Sequence, residues 1–261
     1  MKVYVVCDIE GVAGVIDPRQ QCSFDGDYYN QARKLATLEL NALVEGALEG
    51  GAKEIVAWDS HCLFPGSIDP ELLHTECKLV MGAGDGGPAG LDSSYDALLQ
   101  CGLHAMAKTP KAIMTHTEWE LNGKRIGEIG MSALIAGYHG VPFVFISGDR
   151  AAADEARDLV PDVEVAVVKE ALISKVTGLP QVPAISLSPG KAHQVIREGA
   201  RKAMGKIKQI QPLRFEPPYR LRWQFEKSRF ADDLLAARPE AIRIDPVTLE
   251  FKTDDFLKLP L

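Results

Sequence analysis

Short apolar segments alternate with helix-like segments through the first two-thirds of this chain. The candidate strands are runs of mainly apolar residues at positions 3–7, 54–58, 79–81, 97–101, 143–147 and 163–168. Helices are predicted over 29–49, 131–138, 151–159 and 190–204, either from apolar residues at helical spacing or from residues that typically cap helices. Strands that alternate with helices favour an α/β fold, in which a mostly parallel sheet is flanked by helices.

The pattern changes after about residue 206. Residues 213–225 are rich in proline, arginine and aromatic residues and alternate like an antiparallel strand. A short helix is predicted over 230–237 and extended chain over 241–251. We therefore predict two regions: an α/β region over residues 1–205, and a smaller α+β tail over 206–261. The tail would pack on the first region or form an oligomer contact.

Composition excludes several classes of protein. The 261 residues are 46% hydrophobic and 25% charged, which is typical of a soluble globular enzyme. The formal net charge of -7 argues against nucleic-acid binding, and no apolar run approaches the roughly 20 residues of a membrane helix. The chain opens directly with a strand, so we expect no signal peptide. The five cysteines are scattered and show no zinc-finger spacing, so we expect reduced thiols in a cytoplasmic protein.

Two acidic residues follow the first predicted strand. Asp8 and Glu10 come directly after the apolar run and are followed by Gly11. The carboxyl edge of a parallel sheet is where α/β proteins bind ligands. Two carboxylates this close repel each other unless a cation or a proton lies between them. The motif therefore predicts a metal site.

Polar residues also follow other apolar segments. His61, His104 and His116 come shortly after such segments, and Glu128 lies near the start of a predicted helix. Taken singly, each has a plainer interpretation: a histidine in a loop, or an acid that interacts with a helix dipole. Because the ends of parallel strands meet at one edge, we expect a single cluster. Its members are Asp8, Glu10, His61, His104 and Glu128.

The composition of this cluster constrains the metal. Mixed carboxylate and imidazole ligands suit zinc or manganese, whereas calcium takes oxygen ligands only. Five ligands exceed the need of one catalytic zinc ion, so we expect two ions, with Asp8 as the bridging carboxylate. A two-metal centre supplies a nucleophilic hydroxide and polarises a carbonyl or phosphoryl oxygen.

These residues alone leave other functions open. The same ligands could serve a dinuclear metallohydrolase acting on an amide, an ester or a phosphate. Residues 82–87 are rich in glycine but lack the Lys-Ser/Thr ending of a phosphate-binding loop, which disfavours phosphate chemistry. A non-catalytic peptide-binding protein would need no metal, and five potential ligands argue against it.

Several motifs resemble one known family in order and spacing. They are VVCDIEGVAGV from residue 5, WDSH from 58, GLHAMA from 102, MTHT from 114, GEIGMSALIAGYHGVPFVFISGD from 127, VKE from 168 and LSPGKA from 187. Together they resemble the M55 metallopeptidases, whose best-known members are the D-aminopeptidases of dipeptide-permease operons. The resemblance extends from residue 1 to about 204 and is weak in the tail. Arg150 stands where the family usually has a second acid, and Thr117 where it often has serine.

The resemblance implies a dinuclear zinc aminopeptidase with two zinc ions per chain. It would release N-terminal residues, often D-amino acids such as D-alanine, from short peptides. The family's metal ligands carry over onto Asp8, Glu10, His61, His104 and Glu128, and its catalytic histidine onto His116, as nucleophile or proton-transfer group. The family also implies a ring-shaped homo-oligomer, with a decamer as the expected size, whose inner chamber admits only short peptides.

For the two metal sites we form a working hypothesis about ligand pairing. Asp8 would bridge the ions, Glu10 and His104 would complete one site, and His61 and Glu128 would complete the other. The exact peptide, the preference for D or L residues, the native metal and the physiological role stay open at this point.

Overall fold

Two separate sheets contain the main strands of the described residues. The computed structural model describes residues 1–61, 64–82, 87–174 and 181–260, so Cys62 and glycine-rich residues 83–86 lie outside it. The strands are β1 (Lys2–Cys7), β2 (Glu54–Asp59), β3 (Cys77–Val80), β4 (Ala97–Leu103), β5 (Trp119–Leu121), β6 (Lys124–Ile126), β7 (Phe143–Asp149), β8 (Glu164–Ala171), β9 (Ala184–Ser186), β10 (Tyr219–Gln224), β11 (Ile242–Asp245) and β12 (Thr248–Thr253).

The larger sheet has the strand order β3-β2-β1-β4-β7-β8-β9. All neighbouring pairs are parallel except β8 and β9. The strands β1, β4 and β7 are almost entirely buried, as expected for a parallel sheet covered on both faces. The predicted α/β fold with a mostly parallel sheet is confirmed.

Helices pack on the larger sheet in two groups. The helices are α1 (Pro18–Gln21), α2 (Tyr29–Glu49), α3 (Glu128–Tyr138), α4 (Arg150–Leu159), α5 (Pro189–Met204) and α6 (Ser228–Ala237). The long helices α2 and α5 contact each other, and α3 contacts α4. The predicted bounds of α2 agree with the structure. Helix α3 begins three residues earlier than predicted, because Gly127 is extended and accepts the first helical hydrogen bond, from the N–H of Met131.

The order of the strands reverses next to β1. The chain passes from β1 to β2 on one side, and β4 then pairs with β1 on the other. In an open α/β sheet, the crevice outside such a reversal is the usual ligand site. The segments that follow β1, β2 and β4 therefore meet at one edge.

The smaller sheet is antiparallel and joins distant parts of the chain. Its order is β11-β12-β10-β5-β6, so three strands of the tail form one sheet with a hairpin from residues 119–126, joined through the pairing of β10 with β5. Sequence reasoning missed this hairpin, whose strands have only three residues each. The predicted strand and helix of the tail are present, and the extended segment after residue 241 is two strands separated by a turn. The division of the chain at residue 205 stays a prediction.

Two further observations concern the predicted class of protein. No helix in the described part of the chain combines the length and apolar character needed to cross a membrane. The cysteines in that part of the chain, Cys7, Cys22, Cys77 and Cys101, are free thiols.

Candidate metal centre

The loop after β1 continues to pair with β4 beyond the end of the strand. The N–H of Asp8 donates to the carbonyl of Cys101 over 2.9 Å, and the N–H of Gly11 donates to the carbonyl of Gly102 over 2.7 Å. This pairing fixes the loop that carries Asp8 and Glu10 against the strand that leads to His104.

Two glycines permit this close approach. A Cβ added to Gly11 would lie 2.1 Å from the carbonyl oxygen of Leu103, and one added to Gly102 would lie 2.4 Å from the carbonyl oxygen of Asp8. Gly102 also has a φ of +70°, a region that side chains disfavour. The backbones of the two strand ends therefore meet more closely than any other residue type would allow.

Five of the candidate residues converge at this edge. The Nδ1 of His61 lies 3.5 Å from Oδ1 of Asp8 and 3.7 Å from Oε1 of Glu10. The Nε2 of His104 lies 3.5 Å from Oδ2 of Asp8 and 3.6 Å from Oε2 of Glu128. The two oxygens of Asp8 thus face two different histidines. Glu128 is the first residue of α3, as the helix-dipole interpretation required, yet its carboxylate also faces the cluster.

The two imidazoles are oriented by backbone carbonyls. The Nε2 of His61 donates to the carbonyl of Cys22 over 2.8 Å, and the Nδ1 of His104 donates to the carbonyl of Ala105 over 2.9 Å. Because a carbonyl can only accept, the opposite ring nitrogen of each neutral histidine has a free lone pair. Those free nitrogens are the ones that face the carboxylates, which is the usual support of a metal-binding histidine.

His116 lies at the exposed side of the cluster. Its Nε2 is 3.6 Å from Oε1 of Glu128, and its ring stacks on that of His104 with centroids 4.0 Å apart. The side chain of His116 is 52% exposed, whereas that of His104 is fully buried. Burial of its inner part and the positive charge of His104 lower the pKa of His116, which favours the neutral ring. His104, His116 and Glu128 also form a group whose ligand atoms lie close enough to share one ion.

The titratable groups of the inner cluster strongly shift one another's pKa values. Burial and the negative charge of Asp8 raise the pKa of Glu10 to about 8. Burial would raise the pKa of Asp8 as well, but its hydrogen bond with His61 and the charge of His104 outweigh this and lower it. Burial lowers the pKa of His61, but the contacts with Asp8 and Glu10 outweigh this and raise it to about 9. Oε2 of Glu10 and Nε2 of His104 are buried and have no hydrogen-bond partner there.

These observations test whether the residues fit a metal. Unpartnered ligand atoms, carboxylates that repel each other and oriented imidazoles are what a cation site requires. Asp8, Glu10 and His104 form a second group with ligand atoms close enough to share an ion. The donor set of carboxylate oxygens and imidazole nitrogens fits zinc or a similar ion.

Two buried charged residues hold the loop after β1 in place through hydrogen bonds to its backbone. The ammonium group of Lys169 in β8 donates to the carbonyls of Glu10 and Val15, and the carboxylate of Glu39 in α2 accepts from the N–H of Ala13 over 2.9 Å. Both side chains are almost completely buried. Sequence reasoning did not assign them a role. The sequence did contain a signal: each charged residue occupies a position that the apolar pattern of its strand or helix assigns to the buried face.

Two further buried acids fix the segments that lead to His116. Asp149 accepts from the N–H of Ile113 over 2.9 Å, and Glu155 accepts from the N–H of Met106 over 2.7 Å. Asp149 also caps α4 through the N–H of Ala152. Asp149, the first acid of this segment, thus has a structural role, and Arg150, at the position of the family's second acid, is exposed and contacts Glu170.

Comparison with known proteins identifies the family. The family model described as Peptidase_M55, D-aminopeptidase, matches residues 1–260. The chain belongs to the M55 peptidase family. The match includes the tail, for which sequence reasoning found only a weak resemblance, and it favours peptide-bond hydrolysis over ester or phosphate chemistry and over a binding role without catalysis.

Two comparisons, both with a D-aminopeptidase of Bacillus subtilis, support the assignment. This M55 peptidase is 30% identical to a D-aminopeptidase of Bacillus subtilis (strain 168) over 270 residues, which cover 99% of this chain and 93% of the relative. Its fold is similar to the solved structure described as the Zn-dependent D-aminopeptidase DppA from Bacillus subtilis, a self-compartmentalizing protease. That similarity has a TM-score of 0.87 at 29% identity and covers 99% of this chain and 93% of the other.

Proposed function

We propose that this M55 peptidase is a dinuclear zinc aminopeptidase that releases N-terminal D-amino acids from short peptides. The observation that carries the proposal is the position of Asp8, whose two carboxylate oxygens lie 3.5 Å from the nitrogens of two different histidines. A carboxylate placed in this way between two ligand sets is suited to bridge two ions.

The shortest contacts favour one grouping of the ligands, although Glu10 also lies within 4.8 Å of His104. Glu10 lies beside His61, and Glu128 lies beside His104, so we assign Asp8, Glu10 and His61 to one site. Asp8, His104 and Glu128 form the other. This grouping differs from the pairing that sequence reasoning suggested, because strand-end positions do not reveal which way each side chain turns. We assign zinc because mixed oxygen and nitrogen donors suit it and because the related DppA is described as zinc-dependent.

His116 is the proton-transfer residue in this proposal. When bound, the two ions polarise the scissile carbonyl and lower the pKa of a water molecule. His116 contacts Glu128 yet is half exposed, so it can take a proton at Nε2 and deliver it to the leaving amine. Its lowered pKa keeps the ring neutral before the reaction and able to accept that proton.

The preference for D-residues rests on the family and on the similarity to a D-aminopeptidase of Bacillus subtilis. The test is hydrolysis of D-Ala-D-Ala and L-Ala-L-Ala by metal-loaded protein, with a chelated sample as control. Cleavage of the D-dipeptide that stops on chelation supports the proposal. Cleavage of the L-dipeptide at an equal rate contradicts the stereochemical part, and full activity after complete metal removal contradicts the metal-dependent part.

We further propose a ring-shaped homo-oligomer in the cytoplasm, built from the catalytic region over 1–205 and the tail over 206–261. The related DppA is described as self-compartmentalizing, which requires several copies around a shared chamber. Light scattering coupled to size-exclusion chromatography tests this assembly: a decamer of 28.4 kDa chains is expected, and a monomer at micromolar concentration contradicts it.

A further inference from the structure

A small pocket lies directly beside the candidate metal centre. It has a volume of about 180 Å³, and the side chain of Glu128 forms part of its wall. Leu103, the residue before His104, forms another part. A group bound in this pocket would therefore lie next to residues that we place in the metal centre.

One stripe of α3 forms a side of this pocket. Glu128, Met131, Ser132 and Ile135 all line it, at the spacing of i, i+3, i+4 and i+7. Residues with this spacing share one face of a helix. The stripe therefore presents a carboxylate at the start of the helix and mainly apolar side chains over the next two turns.

Apart from Ser60, the rest of the pocket wall is also mainly apolar. Val6 and Trp58, which are register partners on neighbouring strands β1 and β2, line it together with Trp119. The indole N–H of Trp119 is buried and has no hydrogen-bond partner within the described residues. Buried N–H groups are normally satisfied, and an apolar side chain offers no acceptor, so this N–H is left for a main-chain carbonyl of a bound peptide.

A second cavity, a much wider groove, lies next to this pocket. It has a volume of about 920 Å³ and is lined by His116, Trp223 and Phe225, among others. The rings of Trp119 and Trp223 meet edge to face, with centroids 5.6 Å apart. Since Trp119 lines the pocket and Trp223 lines the groove, the two cavities adjoin at this pair. A second contact links the two cavities: His116 lines the groove, Glu128 lines the pocket, and the two side chains contact each other.

An aminopeptidase needs one small and one wide binding cavity beside its catalytic centre. On one side of the scissile bond it binds a single residue, and on the other side it must accept peptides of different length. We propose that the 180 Å³ pocket receives the side chain of the N-terminal residue and restricts it to uncharged, apolar groups up to about the size of a phenyl ring. This inference rests on the proposed aminopeptidase function.

The size limit follows from the volume of the pocket. An apolar protein cavity of roughly 150 Å³ stays dry and binds benzene. The pocket is slightly larger, so leucine and phenylalanine side chains fit and an indole side chain is near the limit. A lysine side chain would carry its ammonium group past Glu128, at the start of α3, to Met131 and Ile135, and burying a charge against these apolar side chains is costly.

The test compares substrates within each enzyme variant. The ratio of kcat/KM for D-Phe-Gly to that for D-Ala-Gly is measured, because such a ratio cancels differences in metal content and folded fraction. Met131→Ala enlarges the pocket and is expected to raise this ratio about tenfold. Ser132→Leu fills the pocket and is expected to lower it at least tenfold. For the unchanged protein, D-Lys-Gly is expected to react at least 100-fold less efficiently than D-Leu-Gly.

A matched control excludes a general effect of core mutation. Met204 in α5 is as buried as Met131 but does not line the pocket, so Met204→Ala is expected to leave the ratio within twofold. The proposal is overturned if Met131→Ala and Ser132→Leu both leave the ratio within twofold as well. It is also overturned if D-Lys-Gly is cleaved as efficiently as D-Leu-Gly.

A binding measurement separates this proposal from the proposed function. Two of the three tryptophans, Trp58 and Trp119, line the pocket, so intrinsic fluorescence of metal-loaded protein reports its occupation without turnover. We expect D-leucine to bind more tightly than D-alanine, and Ser132→Leu to reverse this order. If that result is obtained while no peptide is cleaved, the pocket proposal stands and the peptidase function fails. If peptides are cleaved while neither the ratios nor the binding order change, the pocket proposal fails and the function stands.

Discussion

Replacing Gly11 with alanine should separate the loop of Asp8 and Glu10 from the strand that leads to His104. The added Cβ would lie 2.1 Å from the carbonyl oxygen of Leu103 and 2.5 Å from that of Gly102. Both neighbours are backbone atoms of β4, so no change of rotamer can relieve the contact. The loop itself must move.

The size of this movement follows from the contact distance. To reach 3.4 Å, where ordinary van der Waals contact begins, the Cβ must move by about 1.3 Å. Metal sites tolerate deviations of about 0.2 Å in ligand distances. We therefore expect metal affinity to fall at least 100-fold, and overpacking to lower the free energy of unfolding by about 1–3 kcal/mol.

The control is Gly190→Ala. This position, near the start of α5, has no heavy atom within 4 Å of an added Cβ and no positive φ. Alanine there should leave metal affinity unchanged and stabilise the protein by up to about 1 kcal/mol. Chemical denaturation of the metal-free proteins and titration with zinc measure both quantities. The reasoning is refuted if Gly11→Ala binds zinc as tightly as the unchanged protein.

Three further predictions concern individual side chains. Asp8→Ala is expected to reduce the metal content from two ions per chain to none after dialysis, and retention of both ions would exclude a bridging role. His116→Ala is expected to keep both ions and lose at least 100-fold in kcat; loss of an ion would instead make His116 a ligand. Burial raises the pKa of Glu39 from 4.5 to about 7, so the folded protein retains a proton that the unfolded chain loses between these values. The free energy of unfolding should therefore fall by about 3 kcal/mol as the pH rises from 4.5 to 7, relative to Glu39→Gln. Metal-free protein tests this by denaturation at pH 5 and pH 8, and a difference between the two proteins that does not change with pH would contradict it.

The local pattern of the sequence predicted the larger sheet well. Buried parallel strands need continuous apolar runs, so residues such as those of β1 and β7 are recognisable without the structure. The hairpin of Trp119–Leu121 and Lys124–Ile126 was missed because its strands are stabilised by pairing with β10, about 100 residues later in the chain. Short strands whose partners are distant leave little local signal.

The proximity of the candidate site residues was predictable from the sequence, but their contacts with one another were not. Asp8, His61 and His104 each follow a strand, and strand ends converge in any parallel sheet, so their proximity required only the strand order. The grouping of Glu10 with His61 depends on the direction of each side chain, which the sequence does not encode locally. The buried supports Lys169 and Glu39 were not predicted because their burial depends on the packing of β8 and α2 against the loop.

The central claim is that Asp8 lies between two metal ions. Anomalous diffraction at the zinc edge, recorded from crystals of the zinc-loaded protein, tests it most directly. We expect two peaks per chain, one beside Glu10 and His61 and the other beside His104 and Glu128, with a carboxylate oxygen of Asp8 in contact with each. A single peak, or two peaks of which one does not contact Asp8, would contradict the account.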